Sequence, residues 1–137
     1  MDIQFVAGFA PIAPDPDKSL AFYLDALGLP LEGEEEYKST WELDGAKHFG
    51  VWPLSHAART CFGTEQWPED IPIPQATLEF EMRSIEAMRQ GLDELVEKGY
   101  EAVHGVKQEP WGQTVARLLS PEGLLIGLSY APWFHGD

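Results

Sequence analysis

The sequence predicts an α+β fold assembled from two similar halves, and three observations carry the prediction. Residues 115–119 and 124–129 are two short apolar runs, separated by Ser120-Pro121-Glu122-Gly123 with proline at the second turn position and glycine at the fourth. That is the chemistry of a type I turn, and runs of this length and composition suit a pleated surface, so the three pieces form a β-hairpin. Two amphipathic stretches, one after Asp15 and one after Ser84, carry helical spacing and end at Gly28 and Gly99. Strand-like segments precede and follow each, so both halves read strand, helix, then two or three strands.

The elements follow in order. Residues 3–12 are apolar and aromatic without helical spacing and read as a strand, broken by Pro11, Pro14 and Pro16. Asp15 before Pro16 is an N-cap and first-turn pair, and Leu20, Tyr23, Leu24 and Leu27 recur on one helical face until Gly28. Residues 32–36 form an acidic, solvated loop. Residues 37–43 and 46–52 flank Asp44-Gly45, a tight-turn signal, and read as a second hairpin. Pro53, Pro68, Pro72 and Pro74 mark a long irregular segment joining the halves. Residues 76–82 are a strand. Ser84 caps a helix with Ile85, Met88, Leu92, Leu95 and Val96 on one face and a Glu94–Lys98 pair on another. Residues 100–106 are a further strand before the final hairpin. The two halves share a glycine after the helix and a hairpin turn holding Gly45 or Gly123, followed by a strand carrying Gly50 or Gly127, which suggests internal duplication.

Length and composition bound the function. A chain of 137 residues is one domain by size, with ordinary hydrophobic content and a core to match. Nine Lys plus Arg against 23 Asp plus Glu leave a net charge of -14, which repels phosphate backbones and anionic lipid. Nucleic acid and membrane surfaces are therefore not expected partners, and cationic small molecules are better ones. Most of these carboxylates serve solubility. Cys61 is the single cysteine, which excludes an intrachain disulfide or cysteine-based metal cluster and fits a reducing, cytoplasmic setting; it reads as an inert small residue. No basic region precedes the first apolar run, because the first cation is Lys18, and residues 3–14 are too few to cross a bilayer.

The segment Asp15-Pro16-Asp17-Lys18-Ser19-Leu20-Ala21-Phe22-Tyr23-Leu24-Asp25-Ala26-Leu27-Gly28-Leu29 resembles the helix signature of the glyoxalase, bleomycin-resistance and extradiol-dioxygenase superfamily, the vicinal oxygen chelate proteins. Trp111-Gly112-Gln113 and Ser120-Pro121-Glu122-Gly123, where the family usually has Asp-Pro-Asp-Gly, resemble its last hairpin. The resemblance covers essentially the whole chain. It implies two βαβββ modules (about residues 1–60 and 75–137, with a connector at about 61–74) forming a curled mixed sheet around a cavity, usually in a homodimer. With the helices on the outer face, the inner face is left to a ligand.

In metal-dependent members that cavity holds a divalent ion on His and Glu side chains. Carried over, those positions fall near Gly8, near Thr77, at Gly127 and within residues 48–52, where His48 is the one candidate. Open catalytic sites need about three protein ligands, so neither a metal nor another cofactor is expected and no catalytic residue is nominated. His56, His104 and His135 show no ligand spacing and read as scattered or satisfied histidines.

A ligand-binding set remains. In a strand, Glu79 and Glu81 share a face with Thr77, opposite Leu78, Phe80 and Met82; since the helix side must be apolar, both carboxylates are expected at the cavity or its mouth. They attract a cationic ligand, act as a base, or are merely solvated. Trp41, Trp52 and Trp111 offer flat rings for a planar or cationic ligand, or fill a core or subunit contact. Arg117 pairs with a cavity carboxylate or lies at an edge. Three functions follow: a metal-free receptor of the antibiotic-resistance type for an aromatic or cationic molecule; a lyase, isomerase or dioxygenase with a metal at unorthodox positions, His48 and Glu79 first; or a metal-free enzyme or structural dimer.

Overall fold

The computed structural model describes residues 1–34 and 36–136. Strand β1 (Ile3–Ala13) lies at the centre and pairs on both sides, antiparallel with β4 (Ala76–Met82) and parallel with β3 (Phe49–Pro53). With β2 (Lys38–Thr40), β5 (Ala102–Gln108), β6 (Thr114–Leu119) and β7 (Leu125–Tyr130) it makes a seven-stranded mixed sheet, order β2-β3-β1-β4-β7-β6-β5, curled but not closed. The two halves of the chain meet along β1 and β4. The second half is complete: strand, helix, three strands. In the first, the place of one strand is held by a single bridge, Glu32 to Ser39. The predicted acidic loop at 32–36 is thus tied to the sheet at Glu32, while Glu35 lies outside the described residues.

Helix α1 (Pro16–Leu20) begins as predicted, with the Asp15 carboxylate accepting from the Lys18 amide at 3.4 Å and proline in the first turn. It then widens into a π-helical stretch, Ala21–Ala26, with the Leu27 amide donating to the Phe22 carbonyl five residues back. The wider turn rotates Leu27 off the stripe that the plain helical spacing predicts: Leu20, Tyr23 and Leu24 pack on Val51 and Leu31, but Leu27 is exposed. Gly28 at φ 71° ends the element as expected.

A second difference lies in the segment read as irregular. Residues Leu54–Phe62 form helix α2, capped by Gly63 in the left-handed region at φ 76°. The prolines misdirect the reading, because Pro53 precedes the first turn and Pro68 lies past the end. Between them Leu54, Ala57, Ala58 and Cys61 follow an i, i+3, i+4, i+7 stripe. Helix α3 (Ile85–Glu97) matches expectation, with the Ser84 hydroxyl accepting from the Ala87 amide at 3.0 Å.

Neighbouring strand residues sort the helices by face. Val51 packs with α1, whereas Trp52 packs with Ala57, Ala58 and Cys61 of α2. Met82, Ala116 and Leu128 pack with Met88 and Leu92 of α3. Helices α1 and α3 therefore cover the outer face, and α2 seals one end of the inner one. Full burial of side chains such as Val51, Met82, Met88 and Leu128 stabilises each contact by about 1.5–3 kcal/mol. The hairpin β2–β3 has a longer connection than the tight turn predicted: Thr40 pairs with Phe49, and Gly45 sits mid-way in the loop of residues 41–48 at φ 93°. That loop brings the Trp41 and His48 rings to 4.2 Å. The final turn is as predicted, with the Gly123 amide donating to the Ser120 carbonyl at 2.9 Å.

Candidate ligand-binding cavity

The inner face encloses a cavity of about 730 Å³, within the range that takes a drug-sized molecule. Its floor is a row of residues running across the strands. Register places Gly8 beside Glu79, Glu79 beside Gly127, Gly127 beside Arg117, and Arg117 beside His104. Glu79 and Arg117 are two strands apart, roughly 10 Å between backbones, yet Arg117 Nη2 donates to Glu79 Oε2 at 3.2 Å. Gly127 makes this possible. A Cβ there would lie 3.1 Å from Glu79 Cγ, so the carboxylate reaches across bare backbone. Gly8 lies against His48, where an added Cβ would make ordinary contact with the His48 Cβ and Nδ1 at 3.7 and 3.8 Å.

Arg117 is almost wholly buried, and the site neutralises it. Its Nη1 donates to Glu109 Oε1 at 3.2 Å and to His104 Nε2 at 3.2 Å, and its guanidinium lies 5.2 Å from the Trp52 ring. His104 Nδ1 donates to the Gly105 carbonyl at 2.7 Å, which leaves Nε2 free to accept. Burial holds this imidazole neutral, and with the nearby Arg117 and Lys107 it lowers the pKa to about 4 against the Gly105 bond. His48 is likewise pushed below the ordinary imidazole value by burial, partly offset by Glu79. Tyr37, half-buried and admitted by Gly50, whose added Cβ would stand 2.9 Å from the phenol oxygen, is raised to about 12, mainly by desolvation.

A second chain of bonds starts at the mouth. Trp111 Nε1 donates to Gln113 Oε1 at 2.9 Å. Gln113 Nε2 donates to Glu79 Oε1 at 3.0 Å and to Ser129 Oγ at 2.8 Å, and Ser129 donates to Glu81 Oε1 at 2.8 Å. Gly112, at φ 101°, folds the loop back so that the Trp111 indole meets Gln113. Glu81 shares the face of Glu79 as predicted, but it is fully buried and outside the cavity lining. Its carboxylate instead accepts from the Ala131 amide at 2.6 Å and His135 Nε2 at 2.8 Å, fixing the C-terminal segment whose Trp133 and Phe134 do line the cavity. Burial raises the Glu81 pKa, against those bonds and that of Ser129.

Of the residues singled out from sequence, Trp41, His48, Trp52, Glu79, Trp111 and Arg117 all line one cavity. Trp41 and Trp111 are about half exposed at its mouth, and Trp52 is buried at its base. Sequence reasoning missed Glu109, Lys107, Gln113, Tyr37 and Trp133. Gln113 stood inside the Trp-Gly-Gln motif and so had a signal; Glu109 had none.

The positions implied for a divalent ion do not form a donor set. Gly8 and Gly127 give no side chain, and Thr77 donates its hydroxyl to the Leu125 carbonyl at 2.9 Å. Glu79 is held by Arg117 and Gln113, and among the described residues no three His, Cys, Asp or Glu side chains are grouped to hold a metal. The residues present do not fit the ion.

Strand–helix–strand halves joined edge to edge around such a cavity define the paired-module class of the vicinal oxygen chelate fold. The sequence profile of the Glyoxalase/Bleomycin resistance protein/Dioxygenase superfamily matches residues 8–128, and the chain belongs to that superfamily. Solved structures similar to it include a glyoxalase/bleomycin resistance protein/dioxygenase superfamily member from Vibrio splendidus 12B01 (17% identity, TM-score 0.60, covering 92% of this chain and 97% of that one). Methylmalonyl-CoA epimerase from Mycobacterium tuberculosis is similar at 17% identity and TM-score 0.56, over 98% of this chain and 93% of its own. The Mn(II)-bound glyoxalase from Novosphingobium aromaticivorans is similar at 15% identity and TM-score 0.56, over 91% of this chain and 37% of its own. At these identities the likeness is one of fold. No curated protein matches the sequence.

Proposed function

We propose that the chain is a metal-independent receptor that sequesters an aromatic small molecule, in the manner of the resistance-type branch of its superfamily. The observation that carries this reading is the pairing on the cavity floor. Among the described residues, both carboxylates lining the cavity, Glu79 and Glu109, are bound to Arg117, Gln113 or Lys107, so they offer neither a metal-ligating set nor a free carboxylate base, while indole rings remain open at the mouth. The same pairing argues against a cationic ligand, because Glu79 is neutralised by Arg117 and Glu81 is withdrawn to the C-terminal segment.

Quenching or a shift of tryptophan emission on titration with planar aromatic compounds, without product formation, is the expected result. Turnover of a bound compound sinks the reading in favour of an enzyme, and a stoichiometric divalent ion lost in His48→Ala makes that enzyme a metal-dependent lyase, isomerase or dioxygenase.

A homodimer is part of the same reading. Phe9, Phe49, Tyr23 and Phe22 form a run of ring contacts at 6.3, 6.0 and 5.1 Å on the outer face, with Phe9 and Phe22 exposed. Contiguous apolar patches of this kind mark association surfaces. Sedimentation of the protein and of Phe22→Asp tests it, with dimer expected for the first and monomer for the second. Among the described residues no helix is long and apolar enough to cross a membrane, and the reducing cytoplasm is the compartment proposed.

A further inference from the structure

The cavity inverts the charge of the chain. Against 23 acidic and nine basic residues overall, the described lining residues include two acids, Glu79 and Glu109, and three bases, Arg59, Lys107 and Arg117. What an entering molecule meets is more lopsided still. The Glu109 side chain is 4% exposed and that of Glu79 19%, whereas Lys107 is 39% exposed and Arg59 55%. The acids are held by buried Arg117, with Glu109 shared by Lys107, and it is the cations Lys107 and Arg59 that are the more exposed.

The excess is concentrated where α2 meets β5. Lys107 Nζ and Arg117 Nη1 share one acceptor, Glu109 Oε1, at 3.6 and 3.2 Å. Lys107 also donates to the Thr60 carbonyl, which sets its ammonium at the end of the cavity closed by α2, where Arg59 lines the wall too. Arg59 contacts Glu65 at 2.7 Å, but both side chains are more than half exposed, and such pairs exchange readily with another anion. Trp52, with the Arg117 guanidinium 5.2 Å from its ring, lines the base of the same cavity, so one space offers both a positive end and an aromatic edge.

We propose that the ligand is an aromatic carboxylate, its ring against Trp52 and its carboxylate at Lys107 and Arg59. This rests on the receptor reading and narrows its ligand class. Charge-assisted hydrogen bonds in a partly enclosed site are the stronger kind, and a neutral amide of the same shape cannot form them.

The test is titration of the full chain, followed by tryptophan fluorescence at neutral pH, with three compounds of one ring size: naphthalene-2-carboxylate, naphthalene-2-carboxamide and naphthalen-2-ylmethylammonium. The carboxylate is expected to bind about tenfold tighter than the amide, with the cation weakest. Lys107→Met is expected to erase the carboxylate's advantage while leaving amide binding in place, Arg59→Gln to reduce it, and Lys98→Gln on α3 to change nothing. Should Lys107→Met fail to fold, the wild-type ranking and Arg59→Gln decide. Equal or tighter binding of the amide or the cation overturns the proposal and leaves the receptor reading standing. A carboxylate preference that survives both cavity substitutions overturns the placement at α2. Binding of none of the three removes the receptor reading and the proposal together.

Discussion

Glu79 and Arg117 stand on strands that do not touch, and their side chains meet at 3.2 Å above the bare backbone of Gly127. The pair therefore depends on the residue between. Gly127→Ala is expected to destabilise by about 1–3 kcal/mol through overpacking against Glu79. Arg117→Met, which strands buried Glu109, costs about 3–5 kcal/mol. Urea unfolding of both variants checks the values, and a loss under about 0.5 kcal/mol for Arg117→Met, the range of an ordinary surface substitution, contradicts the network.

The His104 imidazole accepts from Arg117 only while neutral, and its folded pKa of about 4 lies below the ordinary value of 6.5. The unfolded chain therefore binds the extra proton first. This contribution to stability is complete above about pH 6.5 and is lost as the pH falls towards 4. His104→Gln, which keeps a side-chain acceptor, is expected to flatten that part of the profile. Parallel profiles for the two proteins, from urea midpoints taken across the window, would rule the idea out.

Glu81 works in the opposite sense. Its folded pKa is raised by burial, so its ionisation weakens the fold as the pH climbs above the ordinary carboxylate value. Removing it is worse than ionising it, because Ser129, the Ala131 amide and His135 all lose their acceptor. Glu81→Ala is expected to speed hydrogen exchange at Ala131 and across Pro132–Phe134 more than in α3. Unchanged protection of the Ala131 amide would show that the carboxylate does not hold the segment.

Cys61 faces the core under α2, and burial lifts its thiol to about 11 despite nearby Arg117 and Lys107. The thiolate fraction near neutral pH is then very small. A disulfide reagent at mildly alkaline pH is expected to label Cys61 at the rate of local opening and fully only in denaturant. Immediate stoichiometric labelling of the folded chain would be the contrary result.

The period-two alternation of β4 makes its inner face legible, and with it the position of Glu79. Capping chemistry at Asp15 and Ser84 and the turn at Ser120-Pro121-Glu122-Gly123 likewise mark elements before any coordinates exist. What the sequence hides is cross-strand register. Nothing local to Glu109 says that its chain neighbours will place it under Arg117, and nothing around Glu81 says that residues 131 and 135 return to it. Helix α2 is hidden for a different reason: flanking prolines outweigh a short stripe when residues are weighed one by one, though each lies outside the element. The π-widened turn after α1, which packs against Val51, has no residue that announces it.

The glycine at 127 also limits what can be built on the cavity floor. A glutamate placed there would arrive in space that Glu79 already fills and would add a carboxylate beside those of Glu79 and Glu109. Glu79 has to retreat first, and its departure leaves the Arg117 cation short of a counterion. A chelating site at this position therefore cannot be made by one substitution, because the paired carboxylate and guanidinium have to be rearranged together.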